Sequence, residues 1–203
     1  MSKQRVFLTG ATGGMGFASL KEMLKDTDKQ DIVILARDSE KNRKILDPYR
    51  NTAGLEIVWG DLNDYEVVLK CVKDCDLILH IAAFVSPAAD YHPKQAMKVN
   101  YGSTRNLINA IYALGQQDKT RLVYIGTVAE TGDRMPPIHW GRVGDPIKPS
   151  MFDYYAVSKV AAERLVIESG LKYWASLRQT GIIGKAMSQI NDAIMFLNCF
   201  DNV

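Results

Sequence analysis

Apolar positions along the chain fall into short continuous runs, separated by stretches in which they recur every three or four residues. The runs are Arg5-Val6-Phe7-Leu8, Asp31-Ile32-Val33-Ile34-Leu35-Ala36, Leu55-Glu56-Ile57-Val58-Trp59, Asp76-Leu77-Ile78-Leu79-His80-Ile81, Thr120-Arg121-Leu122-Val123-Tyr124-Ile125 and residues 172–177. Runs without polar alternation predict strands covered on both faces, as in a parallel sheet. Between them lie a helix from Phe17 to Leu24, an irregular polar crossover over 39–50, and a helix carrying Val67, Val68, Leu69 and Val72. Asn63 or Asp64 is placed to cap that helix. A long helix is predicted over 93–114, another over 151–169, and a last amphipathic stretch over 187–200. Six strands alternating with helices imply right-handed crossovers and an α/β, doubly wound parallel sheet of three layers, αβα. Ligands of such sheets bind beyond the carboxyl ends of the strands.

Composition adds limits to this pattern. With 203 residues, 47% of them hydrophobic, the chain can bury one good core, and no repeat or composition shift marks a linker, so 1–203 reads as a single domain. The net charge is +2, with 25 basic residues interspersed among 23 acidic ones, so nothing points to nucleic acid. No apolar run approaches the roughly 18 residues of a membrane span, and the first strand follows Met1-Ser2-Lys3-Gln4 directly, so no membrane association is expected and the location expected is cytoplasmic. Three cysteines cannot all pair; Cys71 and Cys75, four apart on one predicted helix, lack further ligands and read as buried or half-buried thiols. His80 and His92 lack metal-ligand partners at useful spacing, and no metal site is expected. Residues 126–150, punctuated by glycine and proline, form a long loop of the kind that carries function; His139 and Trp140 read there as an exposed pair.

Three stretches carry candidate chemistry. Thr9-Gly10-Ala11-Thr12-Gly13-Gly14-Met15-Gly16 lies where the first strand turns into the first helix. Gly10 permits the tight turn, Gly13 leaves the backbone open to a pyrophosphate, and Gly16 lets the helix pack closely on the strand. The free N–H groups and positive end of the helix then face phosphate. Tyr155-Ala156-Val157-Ser158-Lys159 puts Tyr155 and Lys159 on one helical face, where the ammonium can favour the phenolate of an acid–base tyrosine. Tyr154 has only Ser158 at that spacing. Thr127, just past the fifth strand, can donate a hydrogen bond to a substrate carbonyl.

In order and element type these pieces resemble the extended short-chain dehydrogenase/reductase family, the group of NAD-dependent epimerases, dehydratases and related reductases. Residues 9–16 match its TGxxGxxG turn, and Gly60-Asp61-Leu62 its acidic adenine-side turn. His80-Ile81-Ala82-Ala83 is similar to the segment beneath the cofactor, Val99-Asn100-Tyr101-Gly102-Ser103-Thr104-Arg105-Asn106-Leu107 to the N-x-x-G-T-x-N-L helix, and Tyr155 to Lys159 to YxxxK. Gly126-Thr127 stands where the family keeps its catalytic Ser or Thr, and residues 177–184 resemble its LRxxxxxG segment. The resemblance implies a Rossmann fold and a small-molecule substrate, with hydride transfer at a hydroxyl or carbonyl carbon. It also implies a homodimer built through 93–114 and 151–169. Catalysis falls to Thr127, Tyr155 and Lys159. Cofactor binding falls to Gly10, Thr12, Gly13, Gly14, Met15, Gly16, Arg37, Asp61, Leu62, Ala82, Ala83, Asn100 and Lys159.

Two departures qualify that expectation. The family's substrate region usually continues a hundred or more residues further, so 185–203 reads as the start of a truncated substrate region with little or no C-terminal lobe, or the chain as an N-terminal portion of a longer protein. The stretch Gly126-Thr127-Val128-Ala129-Glu130-Thr131-Gly132 replaces the serine-rich run and VYG ending of sugar-nucleotide epimerases, which weakens that substrate class. The second strand ends in Ala36-Arg37 where an NAD site places a carboxylate. A guanidinium pairs with a 2′-phosphate, so NADP is expected over NAD, with Asp38 able either to take the ribose or to pair with Arg37.

Overall fold

The computed structural model describes residues 3–132, 142 and 144–182. Six strands, β1 (Gln4–Thr9), β2 (Gln30–Ala36), β3 (Leu55–Trp59), β4 (Leu77–His80), β5 (Arg121–Thr127) and β6 (Tyr173–Gln179), form one sheet in the order β3-β2-β1-β4-β5-β6. Every neighbouring pair is parallel. Register brings Thr9 beside both Leu35 and His80, His80 beside Tyr124, and Thr127 beside Gln179, so the carboxyl ends line up along one edge. The order of connection reverses between β1 and β4, which opens a crevice at that edge.

The helices are α1 (Gly14–Met23), α2 (Glu40–Leu46), α3 (Tyr65–Val72), α4 (Ala88–Tyr91), α5 (Pro93–Ala96), α6 (Gly102–Ala113) and α7 (Tyr154–Ile167). One face of the sheet packs Phe7, Val33, Ile78 and Leu122 with Val68, Leu107, Ile111, Ala162 and Val166 of α3, α6 and α7. The other packs Leu8, Ile32 and Ile34 with Leu20 and Leu46 of α1 and α2. Ser39, Asp64 and Asp153 cap α2, α3 and α7 through side-chain oxygens, each accepting from a backbone N–H of the first turn.

The stretch expected as one helix over 93–114 is α5 and α6 joined through a π-turn at Met97–Tyr101, so the face presented by α6 is rotated from that of α5. Helix α4 lies between the end of β4 and α5, where no element was expected. Cys75 lies beyond the end of α3 rather than on it, its thiol donating to the Cys71 carbonyl at 3.1 Å. Burial pushes both thiols up to about 12, which leaves them inert. The amphipathic stretch over 187–200, the region 185–203, and His139 and Trp140 lie outside the described residues. No helix among the described residues is long and apolar enough to cross a membrane, and none of those residues forms a cluster suited to a metal ion.

Candidate active site

The crevice is built on a polar joint between β1 and β4. The Thr9 hydroxyl accepts from the Ala82 N–H at 3.0 Å and lies 2.9 Å from His80 Nδ1. On the other side of the ring, Thr104 Oγ1 donates to the Asn100 carbonyl and lies 3.1 Å from His80 Nε2, which therefore carries the imidazole proton. Burial, helped by the Lys159 charge, drives His80 down to about 3 and keeps it neutral. The joint draws Ala82 against the turn that follows β1. Gly10 adopts φ +74, and a Cβ there would sit 2.8 Å from the Ala82 nitrogen. At Gly16 a Cβ would lie 2.0 Å from the Gly10 carbonyl oxygen, so this glycine serves the turn's own backbone rather than general packing on the strand. A Cβ at Gly13 would touch only that oxygen, at 3.4 Å, and the cleft side stays open. No side chain caps α1 at Gly13, and no acidic residue stands in its first turn. Among α1, α2, α3 and α7 it alone offers its N–H groups outward.

From there a cleft of about 960 Å³ follows the carboxyl edge. Gly10, Thr12, Gly13, Gly14, Met15 and Gly16 line its middle, Arg37, Asp61 and Leu62 one end, and Ala82 and Ala83 its floor. Thr127 and Tyr155 line the other end. Asn106 holds the Leu62 carbonyl from α6 at 2.9 Å, fixing the turn after β3. At the β2 end Asp38 is taken by Arg43 in a two-pronged pair at 2.6 and 2.7 Å, and Arg43 lies over the Trp59 ring. The pair holds the Asp38 carboxyl below the usual carboxylate range. Arg37, exposed, has no ion-pair partner among the described residues.

Two expected residues stand apart from the cleft. Asn100 is buried in the wall: its Oδ1 accepts from the Phe84 N–H at 2.7 Å, and its Nδ2 donates to the Phe84 carbonyl and the Ser158 hydroxyl. Its amide therefore ties the loop after β4 to α7. Lys159, 2% exposed, donates to the Ile125 carbonyl at 2.6 Å and lies 4.0 Å from the Tyr124 ring centroid. The spacing puts it one turn from Tyr155, yet the ammonium is held by β5. Burial lowers Lys159 to about 8 against the opposing pull of Glu130 and Glu163. Burial, reinforced by Glu130, pushes Tyr155 up to about 12, while the Thr127 hydroxyl acts the other way. Burial thus works against the phenolate that the spacing of Tyr155 and Lys159 favours.

Thr127 is the last residue of β5, and its hydroxyl accepts from the Ala129 N–H at 3.2 Å, leaving its proton to donate into the cleft. Beneath it lies a buried charge cluster that the motif reading passed over: Glu130, Lys159 and Glu163, with Arg178 and Ser176 from β6. The signal was present as Thr127-x-x-Glu130, the spacing of a capping box, which the structure contains.

An all-parallel doubly wound sheet, with a glycine turn opening an uncapped helix at its switch point, defines a dinucleotide-binding Rossmann fold. The chain belongs to the NAD dependent epimerase/dehydratase family, which it matches over residues 6–195. It is 29% identical over 115 residues to a UDP-N-acetylglucosamine 4,6-dehydratase (inverting) of Campylobacter jejuni, covering 56% of this chain and 34% of that protein. It is also 29% identical over 197 residues to the 3 beta-hydroxysteroid dehydrogenase/Delta 5→4-isomerase of Vaccinia virus, covering 88% of this chain and 52% of that one. The chain thus spans about a third to a half of the curated relatives it matches. Among solved structures, a UDP-glucose 4-epimerase of Thermus thermophilus in complex with NAD superposes with a TM-score of 0.78 at 22% identity, over 96% of this chain and 61% of that one. The Bordetella bronchiseptica enzyme WbmH in complex with NAD+ gives 0.77 at 23%, over 99% and 64%.

Proposed function

We propose that the protein is an NAD(P)-dependent oxidoreductase acting at a carbon that bears a hydroxyl or carbonyl. The observation that carries this reading is that Thr127 and Tyr155 line the same cleft as the glycine turn. The turn fits a pyrophosphate, because Gly13 leaves its backbone open and α1 has no cap of its own to displace. A nicotinamide cofactor, when bound, supplies or accepts the hydride. Thr127 donates a hydrogen bond to the substrate oxygen. Tyr155 gives that oxygen its proton in reduction and takes it back in oxidation. A protonated Tyr155 serves the reductive direction directly. Lys159, with its neighbouring charges, sets the field at the phenol from behind the wall. The same groups serve an epimerase or dehydratase cycle, in which the cofactor is reduced and reoxidised within one turnover.

Cofactor choice within this reading favours NADP. Asp38, the carboxylate available to accept from ribose hydroxyls, is already held by Arg43, while Arg37 lines the cleft with no carboxylate partner among the described residues. Exposed apolar side chains on the dimer-forming helices, Met97 beside α5 and α6, Tyr112 on α6, and Tyr154 and Ile167 on α7, support a homodimer. The test measures dissociation constants for both cofactors, with turnover on a panel of ketones and aldehydes. NADP is expected to bind more tightly, and Arg37→Ala to weaken NADP at least about tenfold while sparing NAD, as loss of a charge-assisted pair requires. Equal affinities untouched by the substitution overturn the preference. Tight cofactor binding with no turnover on any carbonyl overturns the net oxidoreductase reading and leaves an epimerase or dehydratase cycle or a cofactor-binding regulatory module.

A further inference from the structure

We propose that Glu130 is a positioning residue for this reaction: its buried carboxyl fixes the backbone of Thr127 and sets the electrostatic field felt by Lys159 and Tyr155. The inference rests on the site assignment made above. Glu130 lies in the segment that departs from the family's serine-rich pattern, and the structure shows what the departure builds.

The carboxyl is folded back under the end of β5. Its Oε1 accepts from the Thr127 N–H at 3.1 Å, closing a capping box in which the Thr127 hydroxyl accepts from Ala129. Gly126 makes the room: a Cβ there would stand 3.1 Å from each of Glu130 Oε1, Ser176 Oγ and Arg178 Cγ. The chain returning from the long loop pins the residue from the other side, with Lys148 N–H donating to the Glu130 carbonyl at 2.9 Å. Backbone anchoring of Thr127 needs only a neutral acceptor, which a glutamine supplies. Here the acceptor is an ionisable group with no exposed surface. Its Oε2 stands 3.4 Å from Arg178 Nε, and the carboxyl meets that of Glu163, with which it shares a hydrogen bond when protonated. Ionising a group buried here costs several kcal/mol that a neutral glutamine would not incur, so anchoring Thr127 does not by itself account for a glutamate.

Neighbouring charges show what the group does. From α7 it faces Tyr155, Lys159 and Glu163; from β5, Tyr124 and Thr127; from β6, Ser176 and Arg178. Asp145 and Asp153 act from further out, on Arg178 and Tyr155 respectively. Arg178 and Ser176 are committed chiefly to Glu163, with Arg178 Nη2 at 3.0 Å. Burial opposes ionisation of Glu163, but its bonds to Glu130, Arg178 and Ser176 outweigh burial and hold it below the usual carboxylate range. Glu130, with burial and the adjacent Glu163 both working against its charge, is pushed up to about 8. Glu130, Lys159 and Glu163 therefore titrate as one interacting set directly behind the Tyr155–Thr127 wall. When Glu130 ionises, its charge favours the ammonium of Lys159 and the phenol of Tyr155.

The experiment is an NMR titration of the full chain carrying 13Cδ-glutamate and 13Cε-lysine, assigned with Glu130→Gln and Lys159→Arg, beside the pH profile of kcat/KM. In the unmodified protein one glutamate is expected to titrate near 8, and its signal to vanish in Glu130→Gln. That variant keeps an acceptor for Thr127 and loses the charge. Its Lys159 midpoint, and the limb of the activity profile that follows Tyr155, are expected to move to lower pH by roughly one unit, with cofactor affinity unchanged. A glutamate set that titrates wholly below about 6 in the unmodified protein overturns the proposal, whether or not the variant folds. So does an unmoved Lys159 midpoint in a folded Glu130→Gln. Because these midpoints are read without turnover, an inactive protein whose Lys159 still responds to Glu130 refutes the reaction and not the coupling.

Discussion

The two halves of the sheet bury different things. Around β1, β2 and β3 the interior is hydrocarbon: Leu8, Ile32 and Ile34 pack with Leu20 and Leu46 on one face, Phe7 and Val33 with Val68 on the other, and Thr9 and Asn42 are the polar inclusions. Around β4, β5 and β6 it holds His80, Asn100, Glu130, Lys159 and Glu163, each 2% exposed or less. Burying an aliphatic side chain stabilises by about 1.5–3 kcal/mol without demanding any partner. A buried ion costs several kcal/mol unless its partners are placed well. The first half is a platform that holds a cofactor-shaped turn. The second accepts an electrostatic cost to place buried ionisable groups, Glu130, Lys159 and Glu163, behind Thr127 and Tyr155.

That contrast can be broken most sharply at Tyr155. Replacing it with Phe is expected to lower turnover by about 10²–10⁴-fold, the worth of a positioned acid–base group, with little change in cofactor affinity or melting temperature. Full activity in Tyr155→Phe removes the chemical role of the polar half. In the apolar half the expectation is reversed. Leu8→Ala should cost about 2–5 kcal/mol of stability in a denaturant titration, the same at every pH, while the folded fraction retains its turnover. A loss that varies strongly with pH would show that this half, too, is electrostatically coupled.

The smallest effect is the pH dependence that His80 gives to stability. In the folded protein it stays neutral down to about 3, whereas in the unfolded chain it binds a proton below about 6.5. The unfolded state therefore holds more protons in that window, and stability rises with pH across it and falls as pH drops through it. The slope contributed is at most about 1.4 kcal/mol per pH unit. Unfolding free energies measured between pH 5 and 6.5 should fall less steeply on acidification in His80→Asn than in the unmodified protein; parallel curves would mean that the imidazole is not held neutral.

Much of the cofactor side was readable in advance because its logic is local. A glycine turn between a strand and a helix, an aspartate just before an apolar helix and a short apolar run each declare their geometry within a few positions. All of Gly10 to Gly16, the cap at Asp64 and the strand Leu55–Trp59 fell into place for that reason. Arg37 was equally legible as a residue, but its freedom was not. Whether Asp38 pairs with Arg37 or with Arg43 depends on where α2 begins, and the structure gives it to Arg43. Asn100, drawn toward the cleft by motif, sits within the π-turn and spends its amide on Phe84 and Ser158 in the wall.

What the chain determined by itself, then, is the doubly wound sheet, the glycine turn at its switch point and the places of the three candidate catalytic residues on their elements, because periodicity and short spacings encode backbone geometry directly. Tertiary structure decided which charges share a proton and which share a bond. Lys159 bonds to Ile125, 34 residues earlier in the chain, and Glu130 lies with Glu163 and Arg178, which approach from α7 and β6. Electrostatic energy depends on distance and burial in space, and neither is written in sequence separation.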